Sequence, residues 1–412
     1  MQPVEVRIQW LDGRGHGGAR LPKPHRGVVA VPKALPGDVV RIHLPEDAPS
    51  FATVEMVDLV EPSTFRRDPT CPHHTQCGGC PLGELDPDER RRQLATNVAR
   101  QLGINELPTV AHTTEASGRA RIDLTVHVGR IGYRASKTHD LVPIDTCEIA
   151  EPAVQDMLAR VLALSTRVDM SDLQRLAIRT DGTKTMVSAR SARSTASPAL
   201  REALTELEHV ALDGKALHGD PTLWLQVHGL RLRCSPQSFF QVNRALNELL
   251  VADVVARVQA ARPEAVIDLY SGLGNLTLPI AAACGAPVTG VDREGQAIQD
   301  LRFNARALGL PLVNAISADV RKLDLRTHAF DVAVVDPGRA GCGDALGRVM
   351  TQRPRRIVYV SCHLPSAVRE LKQVRSHGYR LRDVRCYDLF PSTSHVETVF
   401  TLDRDSDSLP LR

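Results

Sequence analysis

VIDLYSGLGN, Val266 to Asn275, is the stretch on which the fold turns. An apolar run carrying Asp268 gives way to a glycine-bearing turn and then to an apolar segment, which predicts a buried strand, a tight turn and a helix. Gly272 and Gly274 have no Cβ, so the backbone there admits a ligand closely. Working outward, LNELLVADVVARVQAA and GQAIQDLRFNARALG read as helices, while PVTGVD, FDVAVVD and RIVYVS read as buried strands. Strands alternating with helices predict an α/β fold with a parallel, doubly wound sheet over residues 236–412. Ligands of such sheets bind outside the carboxyl ends of the strands. Asp268, Asp292, Asp319, Asp336 and Cys362 all fall at or just after a strand-like run.

A dinucleotide fingerprint, G-x-G-x-x-G, needs a third glycine where this chain has Thr277. Asp292, ending VTGVD, can accept hydrogen bonds from both hydroxyls of a ribose. Acid, two glycines and a second acid suit a nucleoside cofactor with no pyrophosphate to cradle, S-adenosyl-L-methionine. Asp319 follows LVNAIS and is placed on the adenine side of that pocket. Free cysteine is usually a small buried apolar residue, but Cys362 at a strand end beside a cofactor crevice has the position of a nucleophile. Asp336 has an equivalent position, one that elsewhere often only caps a turn. Spacing does not single out Glu397 in DLFPSTSHVETVF.

The 412 residues suffice for two to four domains. Val4 to Val60 runs in short apolar alternations broken by Gly and Pro, predicting a small β-barrel or sandwich over residues 1–60. Residues 61–235 predict an α+β domain, with helices at Asp88–Gly103 and near Pro152–Ser165 and strand-like runs RIDLTVHVG, RLAIRT, TMVSAR and LWLQVHG. The formal charge is only +3, yet Met1 to Arg41 carries seven basic against three acidic residues, a surface suited to phosphate. Nine cysteines and no apolar stretch resembling a secretion signal or membrane span point to a cytoplasmic chain without a disulfide framework. Cys71, Cys77 and Cys80 form C-x5-C-x2-C around Gly78 and Gly79, with Cys147 as a fourth candidate ligand; tetrahedral zinc and a [4Fe-4S] cluster both suit such a set. LDRDSDSLPLR, from Leu402, reads as a frayed tail.

Five strings in order, SFFQVN, DLYSGLGNLTLP, VVDPGRAG, IVYVSC and DLFPSTSHVETV, resemble the motifs of the uracil-C5 RNA methyltransferase family. GRGHGGARL with VPKALPGDVV resembles that family's N-terminal TRAM barrel, an OB-like β-barrel that binds RNA, and CPHHTQCGGC with Cys147 its iron–sulfur loop. The resemblance implies a C-terminal Rossmann-like methyltransferase domain and a 5-methyluridine product, in 23S rRNA rather than tRNA. It makes Cys362 the nucleophile and Glu397 the base. Gln241, Tyr270, Asn275, Asp292, Asp319 and Asp336 line the cofactor and target pocket, and Cys71, Cys77, Cys80 and Cys147 hold iron–sulfur rather than zinc. RNA is the expected partner, with no membrane and no obligatory protein partner. Two residues depart from the pattern: His363-Leu364 stands where Asn-Pro usually follows the nucleophile, and Gly338 where Pro or Ala follows Asp-Pro. An RNA-binding homologue without catalysis is therefore the alternative. A DNA cytosine-C5 methyltransferase presents its nucleophile as Pro-Cys, a dipeptide this chain lacks.

Overall fold

The computed structural model describes residues 2–44, 50–113, 118–136, 138–193 and 195–405. They form two compact units, one of Met1–Val110, Ala135–His139 and Phe390–Val396, the other of Ala111–Arg134, Asp140–Leu389 and Glu397–Arg412.

The first unit opens with an antiparallel sheet of Gln2–Arg7, Val39–Leu44 and Met56–Glu61. A second sheet joins Trp10–Leu11, Gly17–Arg20, Val28–Val31 and Phe51–Thr53. Alternation sends Val6, Ile8, Val29, Val31, Val40 and Ile42 into one core. The buried Asp38 carboxylate accepts from the Leu35 and Ser63 amides and pairs with Arg66. A helix follows at Pro87–Leu102, where the Asp86 side chain caps the amides of Asp88 and Glu89 and Gly103 closes the last turn in a left-handed conformation.

In the second unit, a seven-stranded sheet runs Leu141–Pro143, Arg130–Arg134, Arg121–His127, Leu173–Thr180, Thr185–Ser191, Val210–Leu212 and Lys215–His218 in spatial order. The expected helix at Pro152–Ser165 covers it, burying Val154, Leu158 and Val161. A second helix, Pro198–Leu204, goes beyond the sequence reading; its signal was Ser197 as N-cap followed by proline at the first helical position.

The rest of this unit is the doubly wound part: α1 (Arg244–Ala260), β1 (Val266–Leu269), α2 (Thr277–Cys284), β2 (Val288–Asp292), α3 (Gly295–Ala307), β3 (Val313–Ser317), β4 (Val332–Val335), α4 (Ala345–Thr351), β5 (Arg356–Ser361), α5 (Leu364–Leu371), β6 (Tyr379–Tyr387) and β7 (Glu397–Arg404). These strands lie in the order β3-β2-β1-β4-β5-β7-β6. The first five are parallel, and β7 enters antiparallel between β5 and β6. The order reverses between β1 and β4, which puts the ligand crevice outside their carboxyl ends. The C-terminal reading needs correction: Leu402 to Arg404 are not frayed but belong to β7, held by buried Phe400 and Leu402 and by the Arg356–Asp403 ion pair. Residues 406–412 lie outside the described residues.

Fully buried Asp300 on α3 ties this sheet to the segment that enters it. It accepts from the Ser235 amide and hydroxyl, the Ser238 hydroxyl and Arg233 Nε, at 2.6–2.9 Å. Asp300→Ala strands these donors and is expected to lower the unfolding free energy by about 3–5 kcal/mol, read by urea denaturation; a loss below about 1 kcal/mol contradicts this.

Candidate active site

The turn after β1 is shaped by one carbonyl. Val291 O on β2 accepts from both the Tyr270 amide at 2.8 Å and the Ser271 amide at 3.0 Å, which holds Tyr270 at φ 68° despite its side chain. Such left-handed non-glycine residues cluster at functional sites. Gly272 donates to Asp292 Oδ2 at 2.9 Å, and Glu294 N donates to Oδ1 at 2.8 Å, so the Asp292 carboxylate is fixed across the turn. A Cβ on Gly272 would meet nothing within 4 Å; on Gly274 it would collide with Leu278 and Leu301. The third fingerprint position also acquires a reason: Thr277 Oγ1 donates to Asp268 Oδ2 at 2.5 Å, a bond glycine cannot make. Asn275 is locked to Asn247 of α1 by reciprocal amide bonds of 2.8 and 3.0 Å.

Asp336 follows β4, and its amide donates to Leu269 O at 3.2 Å, so its backbone closes the crevice opposite the β1 turn. Cys362 follows β5. Ser361 pairs with Thr398 at the end of the antiparallel β5–β7 ladder; Cys362 follows the one and Glu397 precedes the other, and the Glu397 carboxylate acts on the Cys362 thiol. Cys362 is half-buried and Glu397 fully buried. Gln241 stands partly exposed two residues before Asn243, the N-cap of α1. Asp319 is ion-paired with Arg321 at 3.0 Å; hydrogen bonds from the Arg321 side chain and backbone hold its pKa down, and its charge acts on Tyr270.

The electrostatics bind the group together. Burial pushes Asp268 up to about 7, with Asp336 and Asp292 adding repulsion. Desolvation, then Asp292, raises Asp336 to about 7 as well. Burial, then Asp336, holds Glu397 well above the usual carboxylate range, opposed by Arg339. The Cys362 thiol is raised to about 12 by burial, then by Glu397 and Asp336, again opposed by Arg339. Tyr270 rises to about 12, chiefly through burial. Arg339 is therefore a site residue that the sequence reading missed; its signal was its place three residues after Asp336 in DPGR. Behind it, buried Glu370 of α5 accepts from Tyr359 OH at 2.6 Å, Cys342 Sγ at 3.0 Å and the Gly343 amide at 3.1 Å, fixing the loop that carries Arg339. Among the described residues, Asp268 Oδ1, Ser271 Oγ and Glu397 Oε1 are buried without a hydrogen-bond partner. Buried polar atoms are usually partnered by protein groups or ordered water.

The chain is similar over nearly its whole length to known proteins. It is 31% identical, across 96% of itself and 92% of the relative, to the 23S rRNA (uracil(1939)-C(5))-methyltransferase of Pectobacterium atrosepticum. The chain belongs to the uracil-C5 RNA methyltransferase family. Another member, the 23S rRNA (uracil(1939)-C(5))-methyltransferase of Salmonella typhi, is 29% identical over 98% of this chain and 96% of its own. The tRNA (Uracil-5-)-methyltransferase family model matches residues 298–405, which include Asp319, Asp336, Cys362 and Glu397. The crystal structure of the Pyrococcus abyssi tRNA (uracil-54, C5)-methyltransferase in complex with S-adenosyl-L-homocysteine has the same fold, with a TM-score of 0.74, 24% identity and coverage of 97% of this chain and 100% of that one. Like other uracil-C5 RNA methyltransferases, the chain uses S-adenosylmethionine to methylate uracil in RNA.

The metal question stands differently. Cys71, Cys77 and Cys80 lie in turns of the first unit, partly buried, and Cys77 Sγ accepts from the Gly79 amide at 3.4 Å. Cys147 is buried in the core of the second unit, 4.0 Å from Tyr133 OH. Among the described residues no three His, Cys, Asp or Glu side chains converge on a metal position.

Because the folded pKa of Asp268 exceeds its ordinary 3.8, the native state keeps a proton that the unfolded chain releases. Stability is therefore lost as pH rises from about 4 to about 7, at up to about 1.4 kcal/mol per pH unit for this group. Asp268→Asn is expected to flatten that decline in urea unfolding measured between pH 4.5 and 8; an unchanged pH profile contradicts the assignment.

Proposed function

We propose that this methyltransferase makes 5-methyluridine in 23S rRNA, with Cys362 as nucleophile and Glu397 as the base that releases the product. The observation that carries this reading is the end of the β5–β7 ladder at Ser361–Thr398, beyond which stand the Cys362 thiol and Glu397, a buried, partly unpartnered carboxylate that acts on it. S-adenosylmethionine would be held by Gln241, Tyr270, Asn275, Asp292, Asp319 and Asp336. The open space at Gly272 and the unpartnered Ser271 Oγ and Asp268 Oδ1 fit a nucleoside there. When bound, it supplies an electrophilic methyl group on a sulfonium.

Uracil C5 is a poor nucleophile. Addition of the Cys362 thiolate to C6 converts the ring to an enolate whose C5 would take the methyl carbon as its bond to the sulfonium sulfur breaks, leaving S-adenosylhomocysteine. The saturated adduct keeps its C5 hydrogen. Glu397 removes that proton, and the returning electrons expel the thiolate and restore the double bond. Arg339 favours thiolate formation and the carboxylates oppose it, so Cys362 ionises most readily while Asp336 holds a proton. Reaching C5 and C6 requires the uridine to leave its stack, which costs least in single-stranded RNA. His363 does not obstruct this geometry: its Nδ1 engages Ser366 Oγ at 2.8 Å in the first turn of α5. A side chain at Gly338 would meet nothing within 4 Å.

The ribosomal assignment is supported by the names of the relatives. The tRNA reading is supported by the family model and the archaeal structure. For residues 1–60 we propose an RNA-binding TRAM barrel. Arg7 is ion-paired with Glu61 and Arg41 with Glu5 and Asp58, but Arg14, Arg20, Lys23, Arg26 and Lys33 remain exposed to meet phosphate. No described helix is long and apolar enough to cross a membrane; with a ribosomal RNA substrate, we place the protein in the cytoplasm. A [4Fe-4S] cluster on Cys71, Cys77, Cys80 and Cys147, or zinc in its place, is proposed from the cysteine spacing and the family resemblance, and no step runs through it.

Labelled methyl transfer to RNA separates an enzyme from an inactive homologue, and mapping 5-methyluridine in ribosomal and transfer RNA from cells with and without the gene separates the substrates. Cys362→Ala is expected to abolish turnover. Glu397→Gln is expected to slow it by about 10²–10⁴-fold while a covalent protein–RNA adduct accumulates on denaturing gels; retained turnover in the first, or only free RNA with the second, contradicts the roles. Anaerobically purified protein is expected to contain iron and acid-labile sulfide, lost with Cys77→Ser; wild-type protein with neither iron nor zinc contradicts the metal site.

A further inference from the structure

The hairpin Leu223–Val227/Leu230–Cys234 packs on α3, and the outer surface of the pair is built from alternating arginine and aromatic groups. The Arg231 guanidinium lies 4.6 Å from the centre of the Trp224 ring, and that of Arg233 lies 3.9 Å from the Phe303 ring. The two rings stand 6.2 Å apart, tilted by 60°. Phe303 is 38% exposed although it sits among charged residues. Beside it, Gln299, Arg302, Phe303, Arg306 and Ala307 line a shallow groove along one face of α3, as the i, i+3, i+4, i+7 spacing requires.

The side chains of this pair are mostly basic, while Asp181 and Glu248 from other elements accept from the Trp224 and His228 amides. Hairpin and helix together hold Arg231, Arg233, Arg302 and Arg306, and their one carboxylate, Asp300, is fully buried and turned to Arg233, Ser235 and Ser238. Arg302 donates to the Ala315 carbonyl rather than to an acid. An exposed ring flanked by guanidinium planes offers a stacking platform to any base, and uncompensated arginines offer charge to the phosphates joining such bases. A folded acidic protein would meet the charge but leave the rings without planar partners.

We propose that this face binds a single-stranded segment of the RNA substrate, stacking a base on Phe303 and Trp224 and engaging phosphates through Arg231, Arg302 and Arg306. Asp300 connects it to the catalytic crevice: the carboxylate that anchors Arg233 also holds Ser235 and Ser238, three residues before Gln241. The proposal deepens the RNA-methylation reading and rests on it for the identity of the strand.

The test uses the full chain and a fluorescent single-stranded RNA oligonucleotide, with a duplex of the same sequence beside it. Affinity is measured against salt, without turnover, so that the surface stands or falls apart from methylation. Removing two phosphate contacts with Arg302→Gln/Arg306→Gln is expected to reduce the slope of log K against log salt by about 1.4, and to weaken binding about tenfold near 0.1 M salt. Arg231→Gln, outside the helix, is expected to reduce the slope by about half as much. Phe303→Leu, which keeps an apolar side chain, is expected to weaken binding by about five- to hundredfold with the slope unchanged. Retained S-adenosylhomocysteine affinity identifies folded variants. Wild-type affinity and slope in the folded variants, or tighter binding of duplex than of single strand, overturns the proposal; absence of methyl transfer by the wild type overturns the enzymatic reading instead.

Discussion

One pairing governs the site: Ser361 against Thr398, the last antiparallel rung between β5 and β7. The parallel strands β1, β2 and β4 deliver Asp268, Asp292 and Asp336 to the carboxyl edge of the sheet, and β5 brings Cys362 there too. A sixth parallel strand would bring another carboxyl end to that edge. Because β7 runs the other way, the crevice receives its first residue instead, and that residue is Glu397. The antiparallel insertion is what puts a buried acid beside the thiol, and the chemistry assigned to the pair depends on it.

The same crowding that makes the crevice reactive makes it costly. Asp268, Asp336 and Glu397 all favour the protonated form, for the common reason that burial leaves too little solvation for several negative charges. Arg339 is the cation that lowers the pKa of both Cys362 and Glu397, and its loop is held by Glu370 through Tyr359, Cys342 and Gly343. A cationic ligand entering such a crevice relieves repulsion, whereas a neutral nucleoside leaves it in place.

Much of this was legible in the chain itself. Parallel strands buried on both faces read as continuous apolar runs, so β1, β2, β4 and β5 and the acids after them could be located before any coordinates. Glu397 was not legible from spacing, because its meaning depends on β7 inserting between β5 and β6, a pairing between distant segments that periodicity does not encode; only the family resemblance named it. Thr277 read as a defect in a glycine fingerprint and is in fact the donor to Asp268. Arg339 and Asp300 passed unnoticed because a surface arginine and a helical aspartate look ordinary until burial and partners are known. The cysteines were legible as a spacing signal, C-x5-C-x2-C, but spacing left zinc and iron–sulfur equally open.

The account's central claim is that Cys362 forms a covalent bond to the pyrimidine that Glu397 later releases. RNA carrying 5-fluorouridine tests it most directly, since fluorine at C5 leaves no proton for the base to take. Incubation with the full chain and S-adenosylmethionine is predicted to yield a denaturation-resistant complex whose proteolytic fragment bears the methylated fluorouridine on Cys362. No such complex, or attachment through any other residue, contradicts the account.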